Sequence, residues 1–167
     1  MYTILDILKH KRRTGLLTIS PEDTVFNAIK VMAEHHIGAL LVMEEGRIRG
    51  IITERDYARK VILENRSSRT TSVSQIMSTR VLYIEPEDNA EACMALMIQQ
   101  QIRYFPVLSN GEVVGIISIG DLARAILSFH EFVIDQLTDY ITQAATAGEV
   151  AHAHPERLPA KLRIIQN

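Results

Sequence analysis

An internal repeat is the feature that most constrains this chain. When the sequence is displaced by 65 positions, residues 17–61 lie on residues 82–126 without a gap, and 15 of the 45 pairs are identical. One copy of this size buries little apolar surface by itself, so we expect two copies to share a core. The duplication also predicts pseudo-two-fold symmetry and two equivalent clefts, one associated with each copy.

Each copy has the residue pattern of a β-α-β-β-α unit. Apolar runs predict strands, helical spacing predicts a helix after the first strand, and Gly46 and Gly111 mark hairpin turns. Acids follow Pro21 and Pro86, a pattern that predicts the first turn of a helix. The fold class is therefore α/β (α+β), with two pseudo-symmetric repeats packed through their sheets. In the first copy we predict strands at 16–19, 39–43 and 48–52, and a final helix from Thr53.

Composition shifts predict how the chain is divided. The predicted parts are a first repeat at 3–64, a polar linker at 65–72, a second repeat at 73–128, a helix at 129–143 and an extended or mobile tail at 144–167. Each repeat includes a short helical lead, at 4–8 before the first copy of the motif and at 73–77 before the second. The helix at 129–143 is amphipathic, and its apolar stripe either closes the core or forms a subunit interface. The stripe consists of Phe129, Phe132, Val133, Leu137, Tyr140 and Ile141.

Charge and composition disfavour several classes of protein. The formal net charge is -2, so no general attraction to nucleic acid or to a membrane is expected. The chain has no Trp, and base-stacking platforms are scarce. The first residues lack the pattern of a signal peptide, and no apolar stretch approaches about 18 residues, which predicts a cytoplasmic protein. Weak nucleic-acid binding remains an alternative, through Arg66, Arg69, Arg80 and Arg103.

The sharpest local motif is Gly-Ile-Ile-Thr/Ser-x-x-Asp. It places Thr53 and Asp56 at the end of the third strand of the first copy, and Ser118 and Asp121 at the same point of the second. One interpretation is a capping box, although Asp is short for the reciprocal bond that Glu or Gln makes. The other is a ribose clamp, in which the carboxylate accepts from both vicinal hydroxyls and neighbouring groups hold phosphate.

Cations near the first motif favour an anionic ligand. Arg55, Arg59 and Lys60 crowd a helix start, where the helix dipole disfavours positive charge. A solvated basic face is the alternative. Gly120 and Ala125 replace Arg55 and Lys60 in the second copy. The two clefts are therefore predicted to differ, one directed to phosphate and the other roomier.

A second candidate region precedes the second strand of each copy. Gly38 and Ala39 leave that strand edge bare, so a flat base can approach the backbone, while Arg103 and Tyr104 can meet phosphate or base in the second copy. Ordinary packing at the strand start is the alternative. Metal binding is not predicted, because His35 and His36 are adjacent on a helix, where ligand pairs need a spacing of three or four. No metal is predicted at the tail residues His152 and His154 either.

No catalytic set emerges from the sequence. It contains neither a P-loop lysine motif nor G-x-G-x-x-G, and it lacks G-x-S-x-G. Cys93 lies on an apolar helical pattern without a base partner. Asp56 and Asp121 each repeat with their own copy, which fits two binding sites better than one acid–base pair. We therefore expect a binding protein rather than an enzyme.

These motifs together resemble the CBS domain, named for cystathionine β-synthase. The resemblance covers residues 3–127 and rests on the segments 36–40, 53–60 and 118–122 within the duplicated unit. A pair of such domains is called a Bateman module. The resemblance implies a stand-alone regulatory protein of the compact bacterial type, which senses a ligand or the energy state in signal transduction. The alternative is a protein-interaction or dimerisation module without a physiological ligand.

The family resemblance also implies the ligand and its contacts. The expected ligand is AMP or a related adenosine nucleotide (ADP, ATP), with NAD(H) as a further candidate and S-adenosylmethionine ranked after these. The expected assembly is a homodimer, with a protein partner that the sequence does not identify. For ribose and phosphate the implied residues are Thr53, Arg55, Asp56, Ser118 and Asp121, with Arg55 assigned to the first copy alone. For the adenine and the cleft walls they are Thr18, Ile37, Gly38, Ala39, Val81, Arg103, Tyr104 and Pro106, and further phosphate contacts are predicted at Arg59, Lys60 and Arg80.

Overall fold

The computed structural model describes residues 2–11, 15–147 and 163–164. Both copies fold in the order β-α-β-β-α, which confirms the predicted fold class. Helix α1 (Ile4–His10) precedes the first copy. The first copy then contains β1 (Thr18–Ile19), α2 (Val25–Glu34), β2 (Ala39–Glu44), β3 (Arg47–Thr53), α3 (Glu54–Tyr57) and a π-helical turn (Ala58–Ile62).

The second copy repeats this order after a short 3-10 turn at Val73–Gln75. Its last helix is one uninterrupted element of 29 residues that continues through the helix predicted at 129–143. The final described residues form a strand that pairs antiparallel with the first strand of this copy, opposite Leu82 and Tyr83. The elements are β4 (Leu82–Tyr83), α4 (Ala90–Gln99), β5 (Tyr104–Ser109), β6 (Glu112–Ser118), α5 (Ile119–Ala147) and β7 (Arg163–Ile164).

The prediction that Pro21 and Pro86 occupy the first helical turn is wrong. Helices α2 and α4 begin four residues later, because Thr24 and Asn89 act as N-caps and accept backbone N–H bonds from the helix. The prolines instead lie in turns, in which the Asp two residues after each proline donates its N–H back to the residue before the proline, at 3.2 and 3.1 Å. The fixed φ of proline suits the second position of such a turn.

Both hairpins turn through two residues with positive φ. The φ angles are 49° and 74° at Glu45 and Gly46, and 51° and 83° at Asn110 and Gly111. Two successive residues in this region form the turn whose twist matches that of a β-hairpin. The turns therefore set the strand registers, in which Ala39 lies opposite Thr53 in the first copy.

The described residues form two compact units, and neither unit coincides with one copy. The first-copy unit contains residues 15–83 and β7, so it includes both the lead at 73–77 and the first strand, β4, of the second copy. The second-copy unit contains α1 and residues 84–147. The sequence repeats and the compact units thus have different boundaries.

Equivalent backbone bonds hold each lead in its unit. Ile4 and Leu5 donate to the carbonyls of Asp88 and Pro86 at 3.0 and 2.8 Å. In the other unit the lead residues Val73 and Ser74 donate to Asp23 and Pro21, at 2.8 and 2.9 Å. The two leads therefore correspond to each other with a displacement of 69 positions. The core of the first-copy unit accordingly combines strand, helix and lead residues: Ile19, Val25, Ala28, Met32, Leu40, Val42, Ile52, Val61, Val73 and Ile76.

Glycine at one repeat position lets each lead approach the third strand of its unit. A Cβ on Gly50 would lie 2.8 Å from the carbonyl oxygen of Ser78 and 2.8 Å from Sδ of Met77. A Cβ on Gly115 would lie 2.7 Å from a methyl group of Leu8. The first obstruction includes backbone, whereas the second is the end of a flexible side chain.

The outer part of α5 is exposed. Phe132, Leu137, Tyr140 and Ile141 are each more than half exposed. Phe129 is partly covered, since its ring lies 5.6 Å from that of Tyr2. Within the described residues, the predicted apolar stripe therefore does not close a core. The other interpretation of the stripe, a subunit interface, stays a prediction. Among those residues, no helix is long and apolar enough to cross a membrane.

The matched glycines give a stability test. We expect Gly50→Ala to lower the free energy of unfolding by about 1–3 kcal/mol, because the Ser78 backbone must move. Gly115→Ala should lower the free energy of unfolding by less, because the Leu8 side chain can change rotamer. Urea denaturation of both variants measures the difference, and an equal or reversed order would contradict this account of the lead contacts.

Candidate functional site

A complete capping box stands at the end of β3. The backbone N–H and the hydroxyl of Thr53 donate to Oδ2 of Asp56 at 3.0 and 2.6 Å, and the N–H of Asp56 donates to the Thr53 hydroxyl at 3.1 Å. The expectation that Asp is short for the reciprocal bond is wrong, because the tight turn brings its carboxylate to the backbone of the cap. The carboxylate is thus held at the junction of strand and helix.

The same geometry recurs at the end of β6. The N–H and hydroxyl of Ser118 donate to Oδ2 of Asp121 at 2.9 and 2.7 Å, with the return bond at 3.1 Å. A third box of this kind joins Thr3 to Asp6 at the start of α1. Because α1 lies outside the repeated Thr/Ser-x-x-Asp motif, a capping box does not by itself indicate a binding site. Any binding role of the repeated boxes depends on their surroundings.

In the first-copy unit, the predicted base region lies directly beside the box. Ala39 pairs with Thr53 across the β2–β3 ladder. The carbonyl of Gly38 accepts the N–H of Glu54 at 3.1 Å, so the residue before β2 is tied to the first residue of α3. Ile37 is half-buried and packs against the core.

The second-copy unit brings the corresponding residues together. Tyr104 pairs with Ser118 across the β5–β6 ladder, and the carbonyl of Arg103 accepts the N–H of Ile119 at 2.9 Å. Tyr104 is half-buried, and the Arg103 side chain is exposed. Pro106 is buried, and its carbonyl accepts the N–H of Ile84 at 3.1 Å.

Three further predicted residues make no hydrogen bond to the first box. Thr18 is exposed on β1, where it pairs with Leu41 of β2. Val81 is buried, and Arg80 is exposed. Within the described residues, none of the three hydrogen-bonds to Thr53 or Asp56. Their assignment to the cleft stays a prediction.

A lysine pairs with the carboxylate of the first box. Lys60 Nζ lies 2.8 Å from Oδ1 of Asp56 and donates to the carbonyl of Ile76 at 2.5 Å. Lys60 lies in the π-helical turn Ala58–Ile62, a wide-turn geometry that is frequent at functional sites. Arg55 and Arg59 are exposed beside it. Of the three predicted cations, Lys60 is therefore bound to the site carboxylate.

The second box has a lysine that the sequence analysis missed. Lys11 Nζ lies 3.0 Å from Oδ2 of Asp121 and donates to the carbonyl of Ile116 at 2.7 Å. This lysine comes from the segment after α1, 110 residues before the carboxylate. No local pattern links the two residues. The second site therefore has its own lysine, although Gly120 and Ala125 stand where the first copy has Arg55 and Lys60.

Hydrogen bonds and charge keep Asp121 ionised. Burial raises the pKa of its carboxyl, but the N–H and hydroxyl bonds from Ser118 and the positive charge of Lys11 together outweigh that effect. The pKa of Asp121 is consequently lowered from its ordinary value. The Thr3 hydroxyl and backbone N–H similarly lower the pKa of Asp6. An ionised carboxylate only accepts hydrogen bonds, so Asp121 can receive bonds from hydroxyl groups of a ligand.

The residues considered for metal and nucleic-acid binding have other neighbours where the structure describes them. There, no group of three or more His, Cys, Asp and Glu residues is arranged to hold a metal ion. His152 and His154 lie outside the described residues. Two of the arginines considered for nucleic acid are engaged within the chain: Arg66 pairs with Glu64 at 2.6 Å, and Arg69 lies 4.2 Å from the centre of the Phe26 ring.

Comparison with known proteins matches both copies to one family. The family model described as CBS domain matches residues 3–63 and 73–128. The chain is 38% identical over 147 residues to the CBS domain-containing protein CBSX3, mitochondrial, of Arabidopsis thaliana, covering 83% of this chain and 71% of the relative.

Two solved structures are similar as well. One is a signal-transduction protein with CBS domains from Burkholderia ambifaria, with a TM-score of 0.74 and 47% identity over 76% of this chain and 95% of that one. The other is the CBS domain pair of protein MJ0100 in complex with 5′-methylthioadenosine and S-adenosyl-L-methionine. Its TM-score is 0.67 at 25% identity, covering 77% and 98% of the two chains.

The lowered pKa of Asp121 predicts a pH-dependent contribution to stability. Because this pKa is lower in the folded chain than in the unfolded one, the stabilisation is complete above the unfolded pKa of ~4 and is lost as the pH falls through the folded value. Wild type should therefore exceed Asp121→Asn in free energy of unfolding by an amount that shrinks below pH ~4. Urea titrations at several pH values measure this amount.

Lys11→Met is the matched variant for this measurement. Removing the lysine removes one of the causes that lower the pKa of Asp121, so the pH-dependent part of the difference should become smaller. A difference between wild type and Asp121→Asn that stays constant across the acid range would contradict the proposed electrostatics.

Proposed function

Since this chain belongs to the CBS-domain family, we propose that it is a cytoplasmic regulatory module that binds adenosine nucleotides, with AMP and NAD(H) as the first candidates. Proteins of this family are generally regulatory rather than catalytic. The proposed sites are the two boxes, Thr53 with Asp56 and Ser118 with Asp121, together with the strand starts beside them. Ligand binding there would favour one conformation of the chain over another and so report the ligand level to a partner protein.

The observation that carries this proposal is a half-buried carboxylate at the same point of both copies. The side chains of Asp56 and Asp121 are 14% and 16% exposed. Oδ2 of each carboxylate is used by the capping box, and a carboxylate has about four lone-pair positions for acceptance. Oδ1 of Asp121 makes no hydrogen bond within the described residues, and Oδ1 of Asp56 is shared with Lys60. Acceptor capacity is thus left for the two vicinal hydroxyls of a ribose.

The neighbouring strand starts supply complementary surfaces. Gly38 has no side chain and Ala39 a small one, so a planar base can approach the first box closely. In the second copy, the half-buried Tyr104 lies at the corresponding strand start beside the second box, where an aromatic side chain can contact a base. Arg55, Arg59 and Lys60 provide positive charge for phosphate beside the first box.

The similar structure of protein MJ0100 supports the ligand class. Its two ligands, 5′-methylthioadenosine and S-adenosyl-L-methionine, share an adenosine group and differ in the substituent on the ribose. Adenosine recognition is therefore the common element. This result also places S-adenosylmethionine in any panel of ligands to be tested.

A second function, self-association, is favoured by the exposed face of α5. Leu127, Ile134 and Ile141 recur every seven residues, and Leu137 lies three residues after Ile134. All four side chains are more than half exposed. A seven-residue apolar repeat is self-complementary and pairs helices with each other. We therefore propose that a second copy of the chain covers this face in a homodimer.

Thermal unfolding with AMP, ADP, ATP, NAD, NADH and S-adenosylmethionine tests the nucleotide proposal. A ligand at 100 times its Kd should stabilise the chain by about 2.7 kcal/mol, which is roughly a 5–10 °C rise in Tm. In the double variant Asp56→Asn with Asp121→Asn this shift should vanish, because the cap takes the one remaining side-chain oxygen and the amide NH2 beside it can only donate.

Asp6→Asn is the control for helix capping, because it alters a box of the same geometry in a lead, away from the repeated Thr/Ser-x-x-Asp motif. It should keep the full ligand-induced shift even if its own Tm is lower. A shift that persists in the double variant, or one that Asp6→Asn removes as well, would contradict the assignment of the sites. No shift with any of the six compounds would contradict nucleotide binding itself.

Leu137→Glu tests the homodimer. The change places a charge in the proposed interface and removes from it one leucine of each copy, at ~1.5–3 kcal/mol apiece, so the Kd of the dimer should rise by at least about 100-fold. Gln136→Glu adds the same charge one residue away and should leave the dimer intact. Sedimentation velocity separates these results, and a monomeric wild type would contradict the proposal.

A further inference from the structure

We propose that Lys11 makes the second site selective for phosphorylated adenosine ligands over neutral ones. This inference rests on the proposed nucleotide function and concerns the Ser118–Asp121 box. It assigns a ligand contact to a residue outside both copies of the repeated motif.

The two leads correspond in structure, and this correspondence relates Lys11 to a residue of the other unit. Ile4 and Leu5 make the same backbone bonds as Val73 and Ser74, which are displaced by 69 positions. The same displacement takes Lys11 to Arg80, for which phosphate contact is predicted from the sequence. A cation therefore lies three residues after the lead in both units. The gap-free alignment of the repeats does not show this correspondence, because its displacement is 65 rather than 69.

The geometry around Lys11 repeats that around Lys60. Each ammonium group contacts the carboxylate of its box, at 3.0 Å for Asp121 and 2.8 Å for Asp56, and each also donates to one backbone carbonyl. The two lysines come from different parts of the chain, because Ala125 occupies the position of Lys60 in the second copy. The two copies thus place a lysine ammonium group beside the equivalent carboxylate, although the lysines occupy different positions in the sequence.

The charges suggest how such a lysine would discriminate between ligands. An ammonium group has three donors, and the described bonds of Lys11 use two of them. Its side chain is 24% exposed, so the group is partly desolvated and its interactions are screened less than at the surface. A ligand phosphate offers Lys11 a second anion while the ribose hydroxyls bond to Asp121. A neutral nucleoside has no such anion and must share the carboxylate with the lysine.

A simpler role for Lys11 predicts a different result. The lysine could only neutralise Asp121 and tie the segment after α1 to β6 through Ile116. In that case its removal would change the binding of charged and neutral ligands by the same factor. The ratio of the two affinities, rather than either affinity alone, therefore distinguishes the roles.

Calorimetric titration of the full chain with AMP and adenosine measures this ratio. An Asp56→Asn background removes the first site, so that the remaining binding reports the second. In this background, Lys11→Met should weaken AMP binding about tenfold or more, the loss expected for one charged hydrogen bond, and should change adenosine binding by less than about threefold. Lys11→Arg should restore most of the preference for AMP.

Lys9→Met is the matched control, because Lys9 is exposed on α1 and makes no hydrogen bond or ion pair in the described residues. It should leave the ratio unchanged. Circular dichroism of each variant verifies folding. Equal changes for both ligands in Lys11→Met, or tighter binding of both, would overturn the assignment of Lys11 alone. If the Asp56→Asn protein with Lys11 intact bound neither ligand, the proposed nucleotide function of the second site would fall first.

Discussion

The carboxylate at the strand-to-helix junction is the interaction on which the rest of each site depends. Oδ2 of Asp56 or Asp121 accepts from the backbone and hydroxyl of its cap, and this fixes both the start of the following helix and the orientation of the side chain. A lysine is then attached to the oriented carboxylate. Structural capping and ligand recognition are therefore compatible roles of one group, because a carboxylate has more acceptor positions than the cap uses.

The exchange of leads between the copies explains two other features. Gly50 and Gly115 lie where a lead approaches the third strand of its unit, since a Cβ there would meet the lead. The same exchange carries Lys11 to the second box, although it lies near the start of the first repeat in the sequence. Each compact unit thus contains a segment of the other repeat, and neither copy supplies all the groups around its own carboxylate.

Much of the fold was predictable because its signals are local. The β-α-β-β-α order, the hairpin turns at Gly46 and Gly111 and the position of the boxes follow from apolar patterns, turn residues and short-range caps. The start of α2 was misplaced because Pro21 suits a turn as well as a helix, and the hydrogen-bonding cap at Thr24 decided between them. The reach of Asp56 was underestimated for a related reason: whether a short side chain closes a box depends on the backbone angles at the cap.

The sequence by itself determined the duplication, the fold class and the two equivalent carboxylates, because repeats, periodicity and capping are recorded in neighbouring residues. Only the tertiary structure decided which lysine accompanies each carboxylate and where the apolar face of α5 lies. Lys11 contacts Asp121, which lies 110 positions later in the sequence. No local pattern in either segment predicts this contact. The exposure of Leu137 likewise depends on which elements pack against the helix. Contacts between distant segments arise from the shared packing of the whole chain, so they become visible only once the chain is folded.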